Sequence, residues 1–212
     1  MERAAPPTAY VVDDDESIRT LWRWLMESNG IAVQTFASAA EFIAAYPREG
    51  AGCLVLDLRL PGMSGLELQD YLKREGIEIP VVFVTGHGDI ATAVSALKGG
   101  AVDFIQKPFG YREVVGIIRN AFQRDEEQRA LRARRALVAA RIAALTERES
   151  EVLRRIIDGK QNKVIAAELD ISMKTVEFHR SKLMEKMGVD SVAELVQLTL
   201  GFSLMEPSPP PR

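Results

Sequence analysis

Between Cys53 and Leu56 four apolar residues follow one another without a polar break, and the run ends on the carboxylate of Asp57. A strand that does not alternate is apolar on both faces, a condition met in a parallel sheet covered by helices on each side. Asp57 then stands at the carboxyl end of its strand, the edge where open α/β sheets bind ligands. Pro61, Gly62 and Gly65 turn the chain before helical spacing resumes at Leu66. An isolated Asp there could simply cap the next turn, but this one has company.

The same pattern recurs. Tyr10, Val11 and Val12 stop on Asp13, Asp14, Asp15 and Glu16, and a helical spacing through Ile18, Leu21, Trp22 and Leu25 follows until Ser28, Asn29 and Gly30. Ile31 to Phe36 reads as the second strand and Ala39 to Tyr46 as a helix broken by Pro47. Leu66 to Arg74 is the helix after the third strand. Val81 to Val84 ends on Thr85 and the turn Gly86, His87, Gly88; Asp89 caps a helix with Ala93, Val94 and Leu97 inward; Val102 to Ile105 leads into Gln106, Lys107 and Pro108. Five strands alternating with helices predict a parallel α/β sheet with right-handed crossovers. Asp13, Asp14, Asp57, Thr85 and Lys107 then converge on one rim.

From Tyr111 the spacing of Val114, Ile117, Ile118 and Ala121 is helical, and no Gly or Pro interrupts the chain between Gly116 and Gly159. Leu131, Val138 and Leu145 repeat at seven with Ile142 between them, which fits either a short coiled coil with a second chain or a solvated linker helix. Thr146 to Glu149 is a capping box that starts a new helix with Val152, Leu153, Ile156 and Ile157 as its buried face. A helix from Asn162 to Leu169 with Val164, Ile165 and Leu169 apolar, the turn Asp170 to Ser172, and a helix from Met173 to Met187 give the helix-turn-helix plan. A closing helix runs from Ser191 to about Leu200, and the Pro-rich tail is expected to be disordered.

Charge narrows the partners. Net charge is -3, but residues 1–122 carry 11 Lys and Arg against 16 Asp and Glu, residues 123–145 six against three, and residues 146–205 nine against ten. A nucleic-acid contact must therefore come from a local patch. That patch is expected on the helix from Met173. Val176, Leu183 and Met187 mark its inner face, while Lys174, Thr175, Glu177, Phe178, Ser181 and Lys182 face out, suited to base edges in a major groove. Lys160, Lys163, Lys174, Arg180 and Lys182 are expected on phosphates. The apolar runs are too short to span a bilayer and the N-terminus has no signal-peptide pattern, so a cytoplasmic protein with no membrane partner is expected. The single cysteine, Cys53, excludes an intrachain disulfide and a cysteine metal site.

Carboxylates gathered on one rim stay ionised at neutral pH only with a cation, and all-oxygen ligands suit Mg2+. A Lys beside them adds a second positive charge. The set can clamp an incoming phosphoryl group with Asp57 as nucleophile.

These residues carry a resemblance. Asp13-Asp14, Asp57 in LDLRLPGMSGLEL, Thr85 in VTGHGD and Lys107 in DFIQKPF resemble the receiver domain of two-component response regulators. LTERESEVL, NKVIAAELDIS and KTVEFHRSKLMEKMGV resemble the LuxR-type DNA-binding domain, and the whole is similar to the FixJ-like group of the NarL/FixJ family. The resemblance implies a flavodoxin-like sheet of order 2-1-3-4-5 at residues 8–122, a helical linker at 123–145, a four-helix helix-turn-helix domain at 146–205 and a tail at 206–212. It implies Asp57 as phosphoacceptor, Mg2+ on Asp14, Asp57 and the Arg59 carbonyl with Asp13 acting through water, Lys107 and Thr85 on the phosphoryl oxygens, and Phe104 at the aromatic switch position, held inward by packing. The implied partners are a sensor histidine kinase, double-stranded promoter DNA, RNA polymerase and, on phosphorylation, a second copy. That dimer would form through the helix after Asp89 and the fifth strand, with Ile90, Val94, Leu97 and Phe104, and the closing helix offers a second apolar stripe at Val192, Leu195, Val196 and Leu200 that is either a further contact between copies or simply core. An aspartate-nucleophile phosphatase would need a second Asp two positions beyond Asp57, where Arg59 stands, so a non-enzymatic transcription regulator is expected.

Overall fold

The computed structural model describes residues 6–86 and 99–203; His87, the helix expected from Asp89 and the tail lie outside the described residues. The chain divides into two compact units, Met1–Arg129 and Ala130–Arg212.

In the first unit β1 (Thr8–Val12), β2 (Ala32–Phe36), β3 (Gly52–Asp57), β4 (Val81–Thr85) and β5 (Asp103–Gln106) form one parallel sheet in the order β2-β1-β3-β4-β5. β3 lies between β1 and β4, which is why its sequence allows no polar alternation. Cys53 and Val55 pack into one core with Trp22, Met26, Val114 and Ile118, whereas Leu54 and Leu56 pack into the other with Phe42, Leu68 and Leu72. Asp57 is the first residue of the strand to emerge from that burial. The edge strand β2 alternates as expected of a strand with one neighbour.

The helices of this unit start where short polar side chains satisfy free backbone N–H groups. The Asp15 carboxylate accepts from Ser17 N at the head of α1 (Glu16–Ser28), and Ser38 caps α2 (Ala39–Ala45). Ser64 and Glu67 form a reciprocal capping box on α3 (Gly65–Arg74), a signal not read from the sequence. A long helix, α4, runs unbroken over Tyr111–Ala143.

In the second unit the last turns of α4 are followed by α5 (Glu147–Ile157), α6 (Asn162–Leu169), α7 (Met173–Met187) and α8 (Val192–Ser203). Val152, Ile156, Ile165, Val176, Leu183, Met187 and Leu195 form the core. Ile142 and Leu145 pack against this core from within the chain, so these two residues of the seven-residue repeat serve the domain itself. Leu195 is fully buried and leaves the apolar stripe expected on the closing helix, whereas Val192 is exposed. Val164, expected on an apolar face, is 44 % exposed, because the adjacent Ile165 already takes the inward position on a short helix; Ile157, expected on the buried face of α5, is likewise exposed, because the neighbouring Ile156 fills the inward position at the end of that helix. Among the described residues no helix is long and apolar enough to cross a membrane.

Gly52 sets how closely β1 and β3 approach. Its φ is +141°, and a Cβ there would sit 1.9 Å from the carbonyl oxygen of Thr8. Backbone cannot retreat as a side chain can. Gly52→Ala is expected to lower stability by at least about 3 kcal/mol in urea unfolding, through enforced strain at a glycine conformation.

Candidate functional site

Each residue of the rim is placed by the strand that precedes it. β1 delivers Asp13, β3 delivers Asp57, β4 delivers Thr85, and Lys107 follows β5. Backbone bonds continue past the strands, from Leu58 N to Val84 O and from Lys107 N to Thr85 O, so the rim is an extension of the sheet. The Lys107 ammonium donates to Asp57 Oδ2 at 2.7 Å and to Asp13 Oδ2 at 2.8 Å. The other oxygens are also held: Asp13 Oδ1 accepts from Asp15 N at 3.0 Å and Asp57 Oδ1 from Arg59 N at 2.9 Å.

Burial decides the electrostatics. Asp13 is 2 % exposed, and its carboxyl is held above the usual range chiefly by desolvation, with the nearby Asp57 charge adding to it and Lys107 opposing. For Lys107 burial alone would lower the pKa, and its two carboxylate partners outweigh that and raise it. Asp13 is thus bonded directly to Lys107. Asp14, in contrast, turns its carboxylate to solvent, while Arg19 ties the carbonyls of Asp13 and Asp14 at 2.8 Å each.

Among the described residues no three carboxylate, histidine or cysteine side chains form a metal cage on their own. The donor chemistry nevertheless fits Mg2+, which keeps several waters and takes only one or two carboxylates from a protein. Asp57, the Arg59 carbonyl and the accessible Asp14 are the hard oxygens that would hold it, beside carboxylates already bonded to the Lys107 ammonium.

Thr85 is buried, with its hydroxyl donating to the Gly86 carbonyl at 3.2 Å. Phe104 departs from expectation: it is 38 % exposed and not packed inward. On β5 the burial alternates, Ile105 taking the inward position, and β5 has one strand neighbour, so nothing in the sheet draws the Phe104 ring under cover. Trp22 is buried against Phe109, just past Lys107, at 5.3 Å between ring centroids.

In the second unit, Asp170 closes α6 in a left-handed conformation at φ 54°, and Ser172 caps α7 through Thr175 N. Val176, Leu183 and Met187 are the buried residues of α7, as the spacing predicts. Lys174, Glu177, Phe178, Ser181 and Lys182 are exposed, Phe178 by 60 %, and the Thr175 hydroxyl lies 2.8 Å from Ser172 Oγ. The cations expected on phosphates are not equivalent. Lys163 and Lys174 make no ion pair among the described residues, but Lys182 pairs with Glu185 at 2.8 Å, Arg180 donates to Asn162 Oδ1 at 2.8 Å, and Lys160 is held by Glu168 at 2.6 Å. Glu168 also accepts from Arg155 at 2.9 Å. Glu168 and Asn162 were missed because sequence spacing alone does not reveal a pairing between separate helices.

Lys107→Ala leaves Asp13 and Asp57 facing each other without a counter-charge. It is expected to cost about 2 kcal/mol at pH 7, below the ~3–5 kcal/mol of a fully buried pair because the site is partly open. Burial, aided by the facing carboxylate, raises the Asp13 pKa on folding, so the folded chain binds more protons there than the unfolded one and the deficit should shrink as pH falls from 7 towards 5. A variant equally unstable at both pH values would contradict the like-charge account. Glu168→Gln releases Lys160 and Arg155, and non-specific DNA affinity at low salt should rise several-fold, with the salt slope of log K steeper by roughly 1 to 2. An unchanged slope would show that neither cation reaches a phosphate.

Residues 9–119 match the family described as the response regulator receiver domain, and residues 143–199 match the bacterial regulatory proteins of the luxR family. The chain is 44% identical to the C4-dicarboxylate transport transcriptional regulatory protein DctR of Rhodobacter capsulatus, over 91% of this chain and 98% of that one. It is 42% identical to the transcriptional regulatory protein FixJ of Azorhizobium caulinodans, over 90% of each. Among solved structures, the response regulator StyR covers 92% of this chain, with 99% of its own length matched, at 44% identity and a TM-score of 0.85; full-length FixJ from B. japonicum covers 96%, with 100% of its own length matched, at 38% identity and a TM-score of 0.59. The chain therefore belongs to the two-component response regulators in which a receiver domain is joined to a LuxR-type DNA-binding domain that serves transcription regulation.

Proposed function

We propose that this regulator is switched by phosphoryl transfer from a phosphohistidine of a sensor histidine kinase to Asp57, and that the loaded protein dimerises and binds promoter DNA. The observation that carries the reading is the Lys107 ammonium shared between Asp57 and Asp13 at 2.7 and 2.8 Å on the carboxyl rim of the sheet. A carboxylate oxygen of Asp57 forms the new O–P bond, the P–N bond to the donor imidazole breaks, and the imidazole nitrogen recovers a proton. Receiver domains generally hold Mg2+ at this aspartate. When bound on Asp14, Asp57 and the Arg59 carbonyl, the cation offsets charge building on the phosphoryl oxygens. Lys107 can exchange one carboxylate partner for a phosphoryl oxygen, and Asp13, anchored by its bond from Asp15 N, keeps the ammonium in reach. The Thr85 hydroxyl, bonded among the described residues to the neighbouring Gly86 carbonyl, can turn to the phosphoryl group, and Phe104 on the adjacent strand can follow it inward.

The proposed units are a receiver over 8–122, a linker over 123–145 and a DNA-binding domain over 146–205. In the last, Glu177, Phe178 and Ser181 read base edges, while Lys163 and Lys174 meet phosphates, joined by Lys160, Arg180, Lys182 and Thr175. Moving the switch from 1:99 to 99:1 needs about 5.5 kcal/mol of differential stabilisation, a scale that a doubly charged phosphoryl group with new bonds to Thr85 and Lys107 can approach. Two copies on DNA would place half-sites about one helical turn, ~34 Å, apart, beside a bound RNA polymerase.

With acetyl phosphate and Mg2+ the chain should gain one base-labile phosphoryl group, absent in Asp57→Asn. Mg2+ should change the fluorescence of Trp22, which rests on Phe109 beside the site. Beryllofluoride should convert monomer to dimer in sedimentation and extend the DNA footprint from one half-site to two. Full labelling of Asp57→Asn, or a loaded protein that stays monomeric on a single half-site, would refute the corresponding step.

A further inference from the structure

Asp125 is a carboxylate buried to 3 % exposure, and neither phosphoryl chemistry nor DNA contact uses it. It lies on the inward stripe of α4, where Val114, Ile118 and Ala121 precede it at helical spacing. Its Oδ2 accepts from Gly52 N at 2.9 Å. One turn further on, Arg129 donates to the Glu49 carbonyl at 2.6 Å. Both bonds fall on the segment that leads into β3. The Asp125 charge is felt around it: the Tyr10 hydroxyl and the Cys53 thiol are pushed up first by burial and then by this carboxylate.

A buried charge costs several kcal/mol unless it is paired, and a helix that needed only to pack would carry Leu here. The position of the bonds suggests what Asp125 is for. β3 runs from Gly52 to Asp57, so the strand that presents the nucleophile is tied at its opposite end to the helix that leads out of the receiver. The two bonds carry the attachment of α4 on from Ala121 to Arg129, about 12 Å of helix. Without them those turns would be held by Phe122 as their one apolar side chain, with 123–129 wholly polar, and would open locally.

We propose that Asp125, seconded by Arg129, is a positioning residue for the switch: it makes the first half of the connector helix one body with β3, so that a change at Asp57 is passed to the helix leading to the DNA-binding domain. This rests on the reading that loading Asp57 raises DNA affinity. An Asn at 125 keeps an acceptor oxygen for Gly52 N, whereas an Ala leaves that N–H buried and unpaired.

The test uses the full chain, as wild type, Asp125→Ala, Asp125→Asn and Arg129→Ala, on a DNA site selected from random sequence with the loaded wild type. Labelling by acetyl phosphate, amide exchange over residues 122–129 and at Gly52, and DNA affinity with and without beryllofluoride are measured. In Asp125→Ala, labelling should match wild type, exchange should quicken about tenfold, and the gain in affinity on loading should drop about tenfold. Asp125→Asn should keep the gain within about twofold, and Arg129→Ala should fall between. If Asp125→Ala does not fold, Arg129→Ala decides by the same readouts. A merely structural role would lower the melting temperature and leave the loaded-to-unloaded ratio as in wild type, and that result, or unaltered exchange, would overturn the proposal. A wild-type ratio of one would instead refute the switch itself, and the proposal with it.

Discussion

The ion pair shared by Lys107 with Asp13 and Asp57 is the constraint on which the receiver depends. Two carboxylates end neighbouring strands, β1 and β3, one of them almost wholly buried, and alone they would repel each other in a medium that screens poorly. The compensating ammonium comes from beyond β5, across the edge of β4. The parallel order β2-β1-β3-β4-β5, which sets β1, β3, β4 and β5 side by side, is what lets residues so far apart in sequence meet. The pairing that makes the rim tolerable also makes it reactive, since an ammonium and a hard cation are what a phosphoryl group needs on arrival.

The sheet beneath supplies rigidity and no chemistry. β3 is apolar on both faces because helices cover both, so the only places left for polar groups on that strand are its ends. At one end stands Asp57. At the other the backbone of Gly52 comes so close to Thr8 that no side chain fits, and its N–H is taken by Asp125 from α4. A central strand anchored in this way can transmit a displacement that a surface loop would absorb.

The second unit follows a different logic, with charge pairs restraining its cations. Glu149 is buried, closes the capping box on Thr146 and accepts from Lys186 at 2.7 Å, and that hydrogen bond leads the lowering of its pKa. Glu168 holds Arg155 and Lys160 in the same manner nearer the surface. Such pairing damps non-specific attraction to a polyanion, and the exposed residues of α7, Phe178 among them, are the ones proposed above to read base edges.

Much of this was legible in the sequence for a simple reason: the features are local. A short apolar run bounded by turn residues reads as an interior strand, a Thr with a Glu three residues on before an apolar run signals a helix start, and the spacing of Val176, Leu183 and Met187 gives the inward face of α7. The convergence of Asp13, Asp57, Thr85 and Lys107 was legible too, because every parallel strand brings its carboxyl end to the same edge. What spacing could not supply were partnerships between elements: Glu168 with Arg155, Asn162 with Arg180, Asp125 with Gly52, and the outward set of Phe104 on an edge strand. Asp125 did leave a trace, an acid in an otherwise apolar stripe. The sequence by itself determined the strands, the helices and the rim, since these depend on periodicity and on which residues can cap or turn a chain. Which charge neutralises which, and how far the connector helix is held by the receiver, was decided only by the tertiary structure, because a long-range hydrogen bond depends on the packing of two elements and leaves no period in either.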